Sequence, residues 1–163
     1  MLKVAVVMGS SSDADKVKPA VDIFKKFGVP YTVRVLSAHR TPTEAAEFAA
    51  KAAADGYGAI IAVAGKAAHL GGVLAAATTL PVVALPVSTS FLDGLDSVLS
   101  VLPMPSGVPV AVVGVNSGAN AALFCVRVLA AGDKALTEKY LGYVKEMHDK
   151  TLADDAAIAA QLN

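Results

Sequence analysis

The residues best suited to chemistry are Ser37-Ala38-His39-Arg40-Thr41-Pro42, where the apolar run Tyr31 to Leu36 gives way to a helix-like run starting at Thr41. A histidine beside an arginine at a strand end puts a group that titrates near neutrality next to a permanent cation, a pairing suited to acid/base work on an anionic ligand. Thr41 and Pro42 also read as an N-cap and a first helical residue, so part of the hexapeptide serves the helix start. That role accounts for Thr-Pro and leaves Ser-Ala-His-Arg unexplained.

Two further loops carry polar or unusually small residues. Gly9-Ser10-Ser11-Ser12-Asp13 follows the first apolar run. Its glycine allows a sharp turn, its hydroxyls are short donors, and the free N–H groups of the next helix start favour an anion such as phosphate. Asp13 has the wrong charge for phosphate but can accept from ribose hydroxyls; equally, Ser and Asp are ordinary helix caps. Gly65-Lys66-Ala67-Ala68-His69-Leu70-Gly71-Gly72 surrounds one histidine with side chains small enough for a flat ligand to lie against the backbone. The plainer alternative is a flexible loop with a helix-capping histidine. Ser88-Thr89-Ser90 and Met104-Pro105-Ser106-Gly107-Val108-Pro109 are turn-rich segments that could close over a pocket.

The elements that must position these loops alternate between strand and helix. Lys3 to Met8 reads as a strand buried on both faces, and Ala14 to Phe27 as a helix with Val17, Ala20, Val21 and Phe24 on one side and Gly28 as its stop. The pattern continues with strand Pro30 to Leu36, helix Thr41 to Asp55, strand Ala59 to Ala64, a short helix His69 to Thr78 and strand Pro81 to Pro86. A short helix Gly94 to Leu102, strand Val108 to Val115 and helix Asn116 to Ala131 complete it. Such alternation predicts an α/β fold, a flavodoxin-like three-layer αβα sandwich with a five-stranded parallel sheet. Ligands in such sheets sit outside the carboxyl ends of the strands, where the three loops fall. Residues 1–132 form the predicted core. Residues 133–163 form a C-terminal helical extension of the same domain, expected to pack on a neighbouring subunit through Tyr140, Leu141, Val144 and Met147.

Composition narrows the function classes. Fourteen basic and fourteen acidic residues give zero formal net charge, which argues against a nucleic-acid or anionic-membrane partner. No apolar run approaches the ~18 residues of a membrane span, and Leu2 to Met8 opens directly as a strand without a basic leader, so a cytoplasmic protein is expected. A hydrophobic share of 55%, carried by Ala, Val and Leu on helical segments, suggests contact with other subunits. The single cysteine, Cys125, lies in an apolar run and reads as a small core residue. The three histidines are far apart in sequence and show no metal-ligand spacing, so no metal is expected.

Taken in order, Met8-Gly9-Ser10-Ser11-Ser12-Asp13, Ser37 to Pro42, Ala67-Ala68-His69-Leu70, Gly94-Leu95-Asp96-Ser97 and Met104 to Pro109 resemble the PurE family, class I, of N5-carboxyaminoimidazole ribonucleotide mutases. The resemblance runs from about Lys3 to Asp133. It implies a cytoplasmic homo-octamer with active sites between subunits, acting on a ribonucleotide substrate without ATP, biotin or metal. The substrate carries a carbamate on the exocyclic amine, and the product carries the carboxylate on C4. By resemblance, Ser10, Ser12, Asp13, Ser37 and Arg40 contact phosphate and ribose, and His39 is the acid/base. The loop of Gly65, Ala67, Ala68, His69 and Leu70 would surround the imidazole and the migrating carboxylate, with His69 as a second catalytic histidine.

The family's branch that uses free CO2, a carboxylase, typically has Lys at the position of Arg40 and lacks Ala-His-Leu, so Arg40 and His69 favour the mutase. Val63, Lys66 and Gly71 stand where the mutase loop usually has Gly, Gly and Pro. Lys66 is expected to face solvent, and Gly71 to loosen the loop. A flavodoxin-like module that binds a phosphorylated ligand without chemistry is the alternative from another class, although it leaves both histidines idle. Flavin binding would usually use aromatic residues flanking the ring, and the chain has no Trp.

Overall fold

In the computed structural model, which describes residues 1–162, five strands form one parallel sheet in the order β2-β1-β3-β4-β5. Residue 163, the last of the predicted C-terminal segment, lies outside the described residues. The strands are β1 (Lys3–Met8), β2 (Tyr31–Val35), β3 (Tyr57–Gly65), β4 (Val82–Val87) and β5 (Ala111–Val112). The helices are α1 (Ala14–Phe27), α2 (Pro42–Ala52), α3 (Leu70–Ala76), α4 (Leu95–Val101), α5 (Gly118–Ala130) and α6 (Lys134–Leu162), with short 3-10 turns at Ser11–Asp13 and Leu92–Gly94.

The period of two along β1 sorts its side chains between two helical layers. Val4, Val6 and Met8 join Val17, Ala20, Phe24 and Phe27 of α1 and Ala121, Cys125 and Val126 of α5 in one core. Ala5 and Val7 face the other way, onto Ala45 and Ala49 of α2 and Leu70 and Leu74 of α3. The apolar i, i+3, i+7, i+10 spacing of α1 therefore buries one face, and the helix stops where Gly28 takes φ 71° and Val29 N–H returns to Phe24 O at 2.9 Å. On this side α5 begins at Gly118, where a Cβ would stand 2.6 Å from Lys16 O of α1, so only glycine permits the approach. The predicted flavodoxin-like α/β sandwich, with five parallel strands, is the fold found.

The predicted last strand, Val108 to Val115, shrinks to two residues: Val108 N–H is bonded in a turn to Pro105 O at 3.2 Å, and β4 supplies the reason for the early end. Pro86 O accepts from Asn116 N–H at 2.9 Å, so residue 86 faces the β5 side of the sheet, where proline has no N–H to return. Pairing ends after Ala84↔Val112. The chain still runs beside β4, with Val113 N–H bonded to Ala84 O at 3.2 Å.

The C-terminal helix is divided along its length. Leu136 is fully buried, Tyr140 and Tyr143 pack on Phe27 at centroid distances of 6.0 and 5.5 Å, and Lys139 Nζ donates to Phe27 O at 3.0 Å. Of the predicted stripe, Tyr140 thus meets its own domain, whereas Leu141, Val144 and Met147 are exposed, and every residue from Val144 to Leu162 is exposed. At ~1.5 Å per residue this half of the helix extends well beyond the sheet. Among the described residues, no helix is long and apolar enough to cross a membrane.

Candidate active site

The chain runs from β1 outward to β2 and then returns to the other side of β1 as β3, which makes the carboxyl ends of β1 and β3 a topological switch point. A cleft of about 520 Å³ opens there. It is walled by Gly9, Ser10, Ser12 and Asp13 after β1, by Ser37, Ala38, His39 and Arg40 after β2, and by Ala64, Gly65, Lys66, Ala67 and Leu70 around the end of β3. The three loops singled out in the sequence therefore meet at one place.

After β1, Ser10 accepts from Ser12 N–H at 3.3 Å, and the two hydroxyls lie 2.8 Å apart. Asp13 occupies the N-cap position of α1, yet its carboxylate makes no capping bond. It lines the cleft instead. Burial pushes the Asp13 carboxyl above its ordinary range, opposed by the hydrogen bond from Ser12 Oγ at 3.4 Å. Ser10 thus serves the local turn, while Asp13 is available to a ligand.

After β2, a turn closes from Ser37 to Thr41, with Thr41 N–H on Ser37 O at 2.9 Å. Thr41 does occupy the N-cap position ahead of Pro42, but its hydroxyl makes no cap. It accepts from Ser37 N–H at 2.8 Å and lies 3.2 Å from Ser37 O, cross-linking the turn. Arg40 is held across the strand ends: Nη2 donates to Gly9 O at 2.7 Å, and its backbone N–H and Nε lie 3.2 and 3.4 Å from Ser37 Oγ. A guanidinium fixed in this way presents its remaining donors to an anion with less ordering cost.

After β3, Ser100 of α4 holds the loop. Its Oγ accepts from Ala68 N–H at 2.9 Å and lies 3.2 Å from Lys66 O and 3.0 Å from Ser97 O. Nothing in the sequence marks Ser100, and only the contact across 32 residues shows its part. Ala68 falls outside the wall because its methyl is buried with Ala84 and Val101 in a small cluster under the loop. Lys66 is exposed at the cleft rim with φ 59°, a left-handed conformation that glycine adopts without penalty. Gly71 lies in the first turn of α3 and is buried. Ser88 to Ser90 and Met104 to Pro109 do not line the cleft; Thr89 instead backs Gly65, and Met104 backs Gly72.

The two predicted catalytic histidines meet. His39 Nε2 lies 2.9 Å from His69 Nδ1, with ring centroids 5.0 Å apart and planes at 74°. His39 forms part of the cleft wall, and His69 touches the cleft only through His39. Cys125 is far from this chemistry, fully buried, with its thiol pushed up to about 12 by burial.

The cleft can therefore bind a phosphate or ribose at its serine, aspartate and arginine side. His39, backed by His69, shares the cleft wall with Gly65, Ala67 and Leu70.

Residues 3–150 match the model of the family described as AIR carboxylase. The N5-carboxyaminoimidazole ribonucleotide mutase of Pyrococcus horikoshii is 47% identical over 90% of this chain and 83% of its own. That of Saccharolobus solfataricus is 45% identical over 94% of this chain and 97% of its own. The phosphoribosylaminoimidazole carboxylase of Saccharomyces cerevisiae is 46% identical over 91% of this chain but only 26% of its own length. Among solved structures, a crystal structure of Treponema denticola PurE superposes with a TM-score of 0.87 at 30% identity, covering 94% of this chain and 96% of that one. With the fold, the three cleft loops and these matches in agreement, the chain belongs to the AIR carboxylase family.

Proposed function

We propose that this chain is an isomerase of purine biosynthesis, moving a carboxylate from the exocyclic N5 to C4 of an aminoimidazole ribonucleotide. The observation that carries the reading is one cleft whose wall combines Ser10, Ser12, Asp13, Ser37 and Arg40 with the small residues Gly65 and Ala67 and with His39. The names of relatives that share about 45% of its residues support it.

Ser10, Ser12, Asp13, Ser37 and Arg40 hold the phosphate and ribose. The imidazole lies against Gly65 and Ala67, whose small side chains leave room for a flat ring, with Leu70 as an apolar flank. Protonated His39 gives its proton to N5 of the carbamate, the N–C bond breaks, and CO2 and the free amine form. C4, electron-rich through the ring amine, attacks the CO2 carbon. Neutral His39 then removes the C4 proton, which replaces the one it gave to N5, so the cycle closes without a cofactor. An imidazole can give a proton in one step and take one back in the next.

CO2 has to be retained between the two steps, and His39, Arg40 and Lys66 are exposed in the single chain. Closure from a neighbouring subunit supplies what one chain lacks. The exposed apolar residues Phe91, Leu92, Leu95, Leu99 and Leu102, together with the projecting half of α6, support a homo-oligomer, with an octamer expected. A cytoplasmic site of action fits such an enzyme.

The test is product formation from aminoimidazole ribonucleotide by the purified protein, comparing enzymatically generated carbamate with bicarbonate alone and using His39→Asn as control. Fast conversion of the carbamate, lost in the variant, is expected. Equal or better use of bicarbonate would mean a carboxylase that takes free CO2. Inactivity with both would leave a non-catalytic module for a phosphorylated ligand.

A further inference from the structure

We infer that His69 is a positioning residue that keeps a proton on Nε2 of His39, so that Nδ1 of His39 is the atom exchanging a proton with the substrate. The inference rests on the reading of His39 as the acid/base.

At 2.9 Å, His39 Nε2 and His69 Nδ1 share one proton: two N–H groups cannot face each other there, and two lone pairs would repel. Two arrangements satisfy the contact. If His69 Nδ1–H donates, His39 accepts at Nε2, and adding a proton to His39 at Nε2 would destroy the bond. If His39 Nε2–H donates, His69 accepts, and the same bond survives in both states of His39. The neutral ring then has a bare Nδ1, a base, and the protonated ring has Nδ1–H, an acid. Only the second arrangement lets His39 alternate between acid and base without reorganising its partner. His69 keeps its own proton on Nε2 throughout.

The placement of the two rings fits this division. His39 lines the cleft and His69 does not, so the occupied nitrogen is turned toward the supporting ring. His69 sits at the start of α3, where its C=O accepts from Val73 N–H at 3.1 Å and its N–H donates to Ala67 O at 2.8 Å. The neighbouring Ala68 N–H is tied to Ser100. Backbone bonds on both sides thus fix the residue that carries the supporting ring. The rings' mutual contact is the one side-chain hydrogen bond to either imidazole among the described residues, so no carboxylate competes for the role.

The test is ¹⁵N NMR of the full-length protein at a pH where both rings are neutral, reading which nitrogen carries the shared proton and whether coupling crosses the bond. The expected result is the proton on His39 Nε2, with ¹⁵N–¹⁵N coupling to His69 Nδ1. His69→Leu should remove the coupling, release the second His39 tautomer, and lower kcat by roughly tenfold to a hundredfold with little change in KM, a part of the ~10²–10⁴ that acid/base catalysis contributes. His69→Gln, whose Oε1 accepts the same proton, should restore the tautomer and much of kcat. A proton on His69 Nδ1, or no coupling in the unaltered protein, overturns the inference even if a variant fails to fold. Because the NMR result needs no turnover, it stands apart from the carbamate assay: inactivity there would defeat the reaction and leave the tautomer measured.

Discussion

Replacing Lys66 by glycine should stabilise this protein, against the usual outcome of a substitution to glycine. Lys66 holds φ 59°, and an L-residue in the left-handed region costs roughly 1–2 kcal/mol. Glycine removes that cost but brings about 0.5–1 kcal/mol of extra chain entropy in the unfolded state. The net gain is centred on ~0.75 kcal/mol. The lysine side chain is exposed and makes no ion pair among the described residues, so its loss subtracts little. Lys66 O still accepts from Ser100, because that bond belongs to the backbone. For a chain of this size ~1 kcal/mol moves Tm by about 2–4 °C, so Lys66→Gly should melt about 1–4 °C above the unaltered protein. Lys66→Ala separates side chain from backbone: it keeps the left-handed Cβ and should melt close to the unaltered protein. Thermal and urea unfolding of all three read the effect. If the glycine variant proved no more stable than the alanine variant, the strain at this position would be refuted. Turnover should remain nearly intact, and a large loss in a folded Lys66→Gly would show the ammonium acting on the substrate's carboxylate.

Three other expectations follow from single contacts. Burial raises the Asp13 carboxyl, so its ionised form is disfavoured by folding and its cost appears as pH rises through the carboxylate range. Asp13→Asn should therefore be more stable than the unaltered protein in urea at pH 7, with the gain vanishing near pH 3, while ribonucleotide affinity falls; a gain independent of pH would contradict the cause. Ser100→Ala removes the acceptor of Ala68 N–H and should cost about 1 kcal/mol with a larger proportional loss of turnover; unaltered kinetics would remove Ser100 from the site's support. Cys125, fully buried with its thiol pushed up to about 12, should react with a thiol reagent only on unfolding, and rapid labelling of the native protein would show an opening in the α1/α5 layer.

The elements legible in the sequence were those set by local pattern. Lys3–Met8 and Ala14–Phe27 appear with their predicted bounds because a continuous β-branched run and an apolar 3.6 period leave little choice, and Gly28 ends the helix for a reason visible in one residue. The site was legible because parallel α/β topology brings loops after successive strands to one edge. What escaped depended on partners distant in sequence. The last strand ends early because of Pro86 in a different strand. Thr41 was legible as an N-cap position, but its hydroxyl turned to Ser37. Ala68 reads as part of a small-residue wall until α4 and β4 draw its methyl inward, and Ser100 carries no local signal. The exposed stripe of α6 was legible as apolar, and the fold of one chain shows which half of that helix it covers itself.

The central claim is that one carboxylate travels within one cleft from N5 to C4. It is tested most directly by converting ¹³C-labelled carbamate in the presence of excess unlabelled bicarbonate and measuring the label in the product by mass spectrometry. Retention of the label in the C4 carboxylate, abolished together with turnover in His39→Asn, is the predicted result. Product carrying the unlabelled carbon of the bicarbonate pool would contradict the account and make the protein a user of free CO2.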